Sequence, residues 1–396
     1  MTASPHKALF VHSSNELYGA DIILFTLLAR RDRDLWDPHV IVPCDVPYEG
    51  RLTAKFREEG ISYEEMALAV LRRKYFKPLG FPVYARNFVV STAKILRMIR
   101  KKKFEIVHTN TTAVLPGAIA ARLAKVPHVW HSHEMVVSPS IIRKTTARLA
   151  PALSEVVITV SGAVRDHILQ DNPQARNLRV LHNGIDIDRI AGASGRNKVR
   201  EEFGFSDNDV VAGTLARISK GKGQGYLVEA ASLLTDSCPS LKFLMVGDPF
   251  VGQDHLRDEL EALIRQRGLD KRMVLSPFRT DVPDILAACD ICVLPSTLPD
   301  SFPTVVLESM AASRPMVATN WGGAKEMVVE GETGYLVPVD DALVLADKLK
   351  RLYDSEQARE DMGKAAYRRA SEMFTQDRMA HEFWDLMESV VVGDRK

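Results

Sequence analysis

The sequence predicts an α/β protein built from two doubly wound domains. Its 396 residues exceed what one hydrophobic core usually supports. Short aliphatic or β-branched runs alternate with helical patterns along the whole chain, as in βαβ units. Those runs are continuously apolar, as strands of a parallel sheet covered on both faces are.

Taken in order, KALFVH, PHVIVP, EIVHTN, HVWHS and EVVITV read as strands of the first half, separated by helix-like sequence such as ADIILFTLLARR. VVAGTLA, LKFLMVG, MVLSPF, ICVLPS and PMVATN repeat the theme in the second half. Residues 182–200 lack a clean period and are rich in Gly, Asn and Ser, which reads as a linker. From Thr375 to about Val391 the pattern is helical again. Ligands of doubly wound sheets bind beyond the carboxyl ends of the strands, so two such domains are expected to face each other across a cleft lined by post-strand loops.

Apolar residues make up 46% and charged residues 26%, which excludes a disordered or fibrous chain. No stretch approaches ~18 consecutive apolar residues, and MTASPHKALFVHSS has no signal-peptide pattern, so a cytoplasmic location is expected. Cys44, Cys238, Cys289 and Cys292 are too few for a disulfide framework. The CxxC pair Cys289 and Cys292 sits in LAACDICVLPS, a helix end entering a buried strand, which points to core packing.

Net charge is only +1, but residues 1–185 carry +10 and the remainder −9. Residues 51–103 alone hold 14 basic and 4 acidic side chains, so an anionic partner is expected on that face. In ARNFVVSTAKILRMIRKKKF, Phe88, Val89, Thr92, Ile95, Leu96 and Ile99 share one helical face. The candidate membrane or acceptor patch comprises Arg72, Arg73, Lys74, Lys77, Arg97, Arg100, Lys101, Lys102 and Lys103. No nucleic-acid reader motif accompanies the charge, so nucleic acid is not an expected partner.

The strongest motif is PSTLPDSFPTVVLESMAASRPMVAT, residues 295–319, where a strand ends in a loop and a helix opens around Phe302 and Pro303. Asp300 or Ser301 can cap that helix, and its dipole favours an anion at Phe302, Pro303 and Thr304. Glu308, deeper in the helix, could reach ligand hydroxyls. A sugar nucleotide has that layout, and so does an ordinary capped helix with a solvated Glu308. In GTLARISKGKGQGY, Arg217 and Lys222 bracket a Gly-rich loop and could clamp a diphosphate. Neither the GxGxxG nor the GxxxxGK[ST] pattern is met. In SSNELYGADI, Gly19 could let a ligand approach the backbone. PHVWHSHEM places His131 and His133 on one strand face, which invites a metal reading, but no further His or Cys cluster completes a site, so a hydrogen-bonded role is expected.

In this order the segments resemble glycosyltransferase family 4 of the GT-B glycosyltransferases. NGID at Asn183–Asp186, ARISKGKG, MVGD at Met245–Asp248, DVPDILAACDICVLPS, DSFPTVVLE and WGGAKEMV carry the resemblance. It implies two Rossmann-like domains, an acceptor-side domain at 1–182 and a donor domain at 183–374, with a helix at 375–396 crossing back to the first. It further implies metal-independent, anomer-retaining transfer of a hexose-type sugar from a nucleotide diphosphate sugar to a saccharide or lipid-linked acceptor. No cofactor is implied beyond that co-substrate. By resemblance, Arg217 and Lys222 bind the diphosphate, Glu308 the ribose and Asp300 the hexose, while Phe302, Pro303, Thr304 and Val305 offer amides to the phosphate or sugar. His133 contacts the sugar near the reacting carbon, Gly19 borders the phosphates and acceptor, and Phe278 and Arg279 lie near the base. Asp300 stands where the family most often has Glu, and Pro303 where Gly is common. A sugar-nucleotide epimerase and a non-catalytic binding homologue are the rival readings.

Overall fold

The computed structural model describes residues 4–45, 49–72, 75, 80–250 and 252–393. The chain divides into two units, Met1–Asn183 with Gln376–Lys396, and Gly184–Thr375.

The first unit alternates β1 (His6–His12), α1 (Gly19–Ala29), β2 (Trp36–Pro43), α2 (Arg51–Glu58), β3 (Ser62–Met66), α3 (Gly80–Lys102), β4 (Ile106–Asn110), α4 (Pro116–Ala124), β5 (His128–Ser132), α5 (Ser140–Ala152), β6 (Val156–Thr159), α6 (Gly162–Asp171) and β7 (Leu178–Val180). The second runs α7 (Ile187–Ala191), α8 (Arg196–Glu202), β8 (Val210–Leu215), α9 (Gln224–Ser232), β9 (Leu241–Val246), α10 (His255–Gln266), β10 (Met273–Ser276), α11 (Val282–Ala288), β11 (Ile291–Leu294), α12 (Thr304–Ala311), β12 (Met316–Thr319), α13 (Ala324–Met327), β13 (Gly334–Val337), α14 (Ala342–Asp354) and α15 (Glu356–Met373). The chain closes with α16 (Gln376–Gly393), which belongs to the first unit.

The sheets have the orders β3-β2-β1-β4-β5-β6-β7 and β10-β9-β8-β11-β12-β13, and their strand pairs are parallel. Each order reverses once, between β1 and β4 and between β8 and β11. In open parallel sheets the ligand crevice opens at such a switch point, beyond the strand carboxyl ends. Those ends carry His12 and Asn110 in one unit, and in the other lead to Arg217 and Ser296.

Three strands add to the ten that the sequence predicts. β3 carries exposed acidic side chains at a sheet edge, β7 is three residues long, and β13 forms the opposite edge of the second sheet, so none presents a long apolar run. The expected linker at 182–200 instead holds α7 and the start of α8. Asp186 caps α7 by accepting from the Arg189 amide at 3.0 Å, and Arg196 and Arg200 both pair with Asp290 before β11. Cys289 and Cys292 are both buried, and burial pushes both thiols up, the Cys292 thiol to about 11.

Helix α16 completes the first core. Its Met379, Phe383, Trp384 and Met387 are buried with Phe10, Trp36 and Leu27, and the Trp384 indole donates to the Leu27 carbonyl at 2.9 Å. Burying each such side chain contributes roughly 1.5–3 kcal/mol.

Candidate functional site

In the second unit, the loop after β8 carries Arg217, a short 3-10 turn at Lys220–Lys222, and Gly223 in the left-handed region at φ +70°. A Cβ on Gly223 would collide with the Pro295 carbonyl oxygen, so this turn takes glycine for both conformation and space. The loop after β11 is laced to it: the Thr297 amide donates to the Gly221 carbonyl at 3.0 Å, and the Thr297 hydroxyl to the Lys220 carbonyl at 2.8 Å. The two loops of the switch point are thus joined into one rim.

Across that rim Lys222 Nζ pairs with Asp300 Oδ1, while Ser296 Oγ donates to Asp300 Oδ2 at 2.7 Å. The Arg217 guanidinium lies over the Phe250 ring, 3.5 Å from its centroid, and the Gln224 amide holds the Arg217 carbonyl at 2.9 Å. Gly322, at φ +63°, and Gly323 back the same loop, with the Gly323 amide donating to the Asp300 carbonyl at 2.8 Å.

Helix α12 starts one step later than the sequence suggests. Pro303 is its N-cap at ψ 115°, and no side chain caps it; the Asp300 carboxylate is committed to Lys222 and Ser296 instead. Pro303 also lacks an amide hydrogen, so among the four candidate amides only Phe302, Thr304 and Val305 can donate to an anion. The Phe302 side chain is buried against Phe374, ring centroids 5.8 Å apart, so it turns away from the loop surface and into the core of this unit. Burial pushes the Glu308 carboxyl up from its usual 4.5 to about 7, against the opposing pull of Arg189. Phe278 is exposed, and its amide donates to Asp248 at 2.9 Å. The neighbouring Arg279 is tied to Asp281 and Glu202, whose hydrogen bonds drive its guanidinium further above the usual range.

In the first unit, Gly19 opens α1, and a Cβ there would meet nothing within 4 Å. His133 follows directly on β5. Its ring stacks on His131 with centroids 4.1 Å apart, and its Nε2 lies 2.9 Å from Asn110 Oδ1. Burial, together with His131 and His12, holds the His133 imidazole well below the usual histidine range. Beside it, Glu134 accepts from the Thr112 amide and hydroxyl, both at 3.2 Å, and lines a cavity of about 560 Å³ with Leu71, Val136 and Ile142. Among the described residues no group of three or more His, Cys, Asp or Glu side chains is arranged to hold a metal ion.

The basic patch is partly redrawn. Arg72 is not a solvent-facing cation of the patch: its guanidinium pairs with the buried Asp45 carboxylate at 3.2 Å and donates to the Ser13 carbonyl. Arg73, Lys74 and Lys77 lie outside the described residues. Arg97, Arg100, Lys101, Lys102 and Lys103 are exposed. On α3, Thr92, Ile95 and Ile99 are buried as their periodicity implies, but Val89 faces outward, with Phe81, Val83 and Val90 also exposed.

Ser296 and Phe250 carry no signal in the sequence beyond standing after apolar strands. Gly322 and Gly323 are visible only as the turn in WGGAKEMV. Asp21, His12 and Asn110 are invisible as a set, because they meet only in the fold.

Two doubly wound parallel-sheet units of this topology are the architecture of a GT-B glycosyltransferase. Residues 195–369 match the family model for glycosyl transferases group 1, and residues 24–189 that for glycosyltransferase family 4. The chain belongs to this family, and it is a nucleotide-sugar-dependent glycosyltransferase acting on a sugar or lipid acceptor. It is 28% identical to the Escherichia coli UDP-Gal:alpha-D-GlcNAc-diphosphoundecaprenol alpha-1,3-galactosyltransferase, over 69% of this chain and 74% of that one. It is 29% identical to the D-inositol 3-phosphate glycosyltransferase of Pseudarthrobacter chlorophenolicus, over 73% of this chain and 72% of that one. The crystal structure of Anabaena HepE in complex with UDP and glucose covers 97% of this chain and 100% of its own at 28% identity, with a TM-score of 0.80.

Proposed function

We propose that the protein is a retaining, metal-independent hexosyltransferase that uses a UDP-sugar and a saccharide or lipid-linked acceptor. The observation that carries this reading is the shared rim of the second unit, where Lys222, Asp300 and Ser296 meet beside the start of α12, with Glu308 further along that helix. Cleavage of the donor leaves negative charge on the departing diphosphate. Arg217 and Lys222 stabilise it electrostatically, and the amides of Phe302, Thr304 and Val305 add the helix dipole. Glu308 accepts from the ribose hydroxyls, and Asp300 orients the hexose. Phe278 and Arg279 border the base, Gly19 borders the phosphates and acceptor, and His133 touches the sugar near the reacting carbon. Transfer proceeds by same-face substitution in which the leaving phosphate accepts the acceptor's proton, so no protein nucleophile is assigned. UDP is proposed as the nucleotide because HepE, similar over nearly the whole chain, binds it.

A melting panel of UDP, GDP, ADP and dTDP tests the donor. A ligand that binds only the folded state raises Tm with its excess over Kd. UDP alone is expected to do so; a shift from another diphosphate reassigns the base, and no shift from any of the four overturns the donor site.

Among the described residues no helix is long and apolar enough to cross a membrane. Contact with an anionic lipid surface is proposed through α3, whose exposed Phe81, Val83, Val89 and Val90 precede exposed Lys94, Arg97, Arg100 and Lys101. The protein is expected to sediment with phosphatidylglycerol vesicles at low salt and to be released at high salt. A protein left in the supernatant at low salt removes the membrane half of the reading.

A further inference from the structure

Four polar side chains from α1, β1, β4 and the end of β5 form one hydrogen-bonded chain at the switch point of the first sheet. His12 Nε2 lies 2.5 Å from Asp21 Oδ1, with His12 and Asp21 0% and 2% exposed. His12 Nδ1 lies 3.0 Å from Asn110 Nδ2, and Asn110 Oδ1 lies 2.9 Å from His133 Nε2. Asp21 is itself anchored, since its Oδ2 accepts from the Tyr18 amide at 2.7 Å and from Ser14 Oγ at 3.4 Å.

The protons of this chain can be assigned one after another. Asn110 Nδ2 also donates to the Ala20 carbonyl at 3.3 Å, and a carbonyl only accepts, so the amide has one orientation. Its nitrogen therefore faces His12, whose Nδ1 must be the lone-pair nitrogen, leaving the His12 proton on Nε2 toward the Asp21 carboxylate. Its oxygen faces His133 Nε2, which must then carry the proton. His133 is left with Nδ1 as its acceptor nitrogen.

We propose that Asp21, His12 and Asn110 are positioning residues that lock His133 in the Nε2–H tautomer, so that Nδ1 accepts a hydroxyl of the donor sugar. This rests on the proposed contact of His133 with that sugar. None of the three needs to touch substrate. Each residue's donor and acceptor capacity dictates the next, as in other hydrogen-bonded histidine relays where a second partner sets which ring nitrogen acts.

Asp21→Asn reverses the relay. The carboxamide oxygen of the variant keeps the Tyr18 amide and its NH₂ turns to His12, so His12 Nε2 becomes an acceptor and Nδ1 a donor. With a donor now at His12 Nδ1, Asn110 is driven to flip at the loss of its bond to the Ala20 carbonyl, and its NH₂ then faces His133 and drives it toward the Nδ1–H form.

The test is long-range ¹H–¹⁵N NMR of ¹⁵N-histidine-labelled protein, with His133→Gln assigning the His133 signals, alongside kinetics of UDP release from UDP-glucose. The parent chain is expected to show His133 as Nε2–H. Asp21→Asn is expected to shift it to Nδ1–H and to lower kcat on the order of a hundredfold, with the KM for UDP-glucose little changed. His133 found as Nδ1–H in the parent chain overturns the proposal, and that spectrum needs neither the variant nor a substrate. An inactive His133→Gln beside an Asp21→Asn variant with parental kcat and tautomer overturns the relay alone. Parental kcat in both variants, with the tautomer still following Asp21, overturns the sugar contact and with it the positioning role.

Discussion

Lys222→Ala is expected to lower kcat for UDP release from UDP-glucose by about 10²- to 10³-fold, the size of losing one preorganised group that stabilises developing charge. Two effects add. The cation that neutralises the departing diphosphate disappears, and the Asp300 carboxylate, whose Oδ1 it holds, becomes an uncompensated negative charge on the same rim. The second effect can be separated from the first. Adding Asp300→Asn to Lys222→Ala removes the repulsion, and UDP affinity by titration calorimetry is expected to recover in part while kcat stays low. A Lys222→Ala enzyme turning over at the parental rate would take Lys222 out of the chemistry.

Glu308 gives the second large effect, on pH dependence. Desolvation by the surrounding protein pushes its carboxyl up to about 7, and only the ionised form accepts from both ribose hydroxyls. Affinity for UDP-glucose, whose diphosphate has no proton to lose in this range, is expected to rise about tenfold between about pH 6 and about pH 8. Glu308→Gln should bind weakly and without that slope; a parental pH slope in the variant would assign the titration to another group. Stability runs the opposite way. The folded chain keeps this proton up to about 7, whereas an unfolded glutamate releases it near 4.5, so folding takes up a proton in that window. Stability from this group is full below about 4.5 and is lost as pH rises through 7. Glu308→Gln should therefore melt higher than the parent chain at pH 8 and no higher at pH 4.5, the pattern of a binding residue kept at a cost in stability.

The two doubly wound units were legible because buried parallel strands must be apolar on both faces, which writes uninterrupted runs such as ICVL and VVAGTL into the chain. Edge strands escape that requirement, and β3, SYEEM, reads as polar loop. The donor-side residues were legible for a related reason. Lys222 and Asp300 stand in loops directly after recognisable strands, and Glu308 in the second turn of the helix that follows, where a doubly wound sheet places its ligands. The sequence did not reveal that Asp300 would bind Lys222 rather than cap α12, since a short acidic side chain before a helix normally suits the cap. Arg72 misled in the same way: it belongs to a run of cations, yet the fold turns it inward to Asp45.

By itself the sequence determined the fold class, the succession of most strands and helices along the chain, and the residue types available to meet a diphosphate sugar, because apolar period and turn chemistry are local. Only the tertiary structure decided which of those side chains are spent on one another. His12 and Asn110 lie 98 positions apart and meet because β1 and β4 are neighbours at the switch point, and α1 then delivers Asp21 to complete the chain. Hydrogen-bond partnership depends on separation in space of about 3 Å, and a parallel sheet sets that separation through crossovers that leave no trace in local sequence.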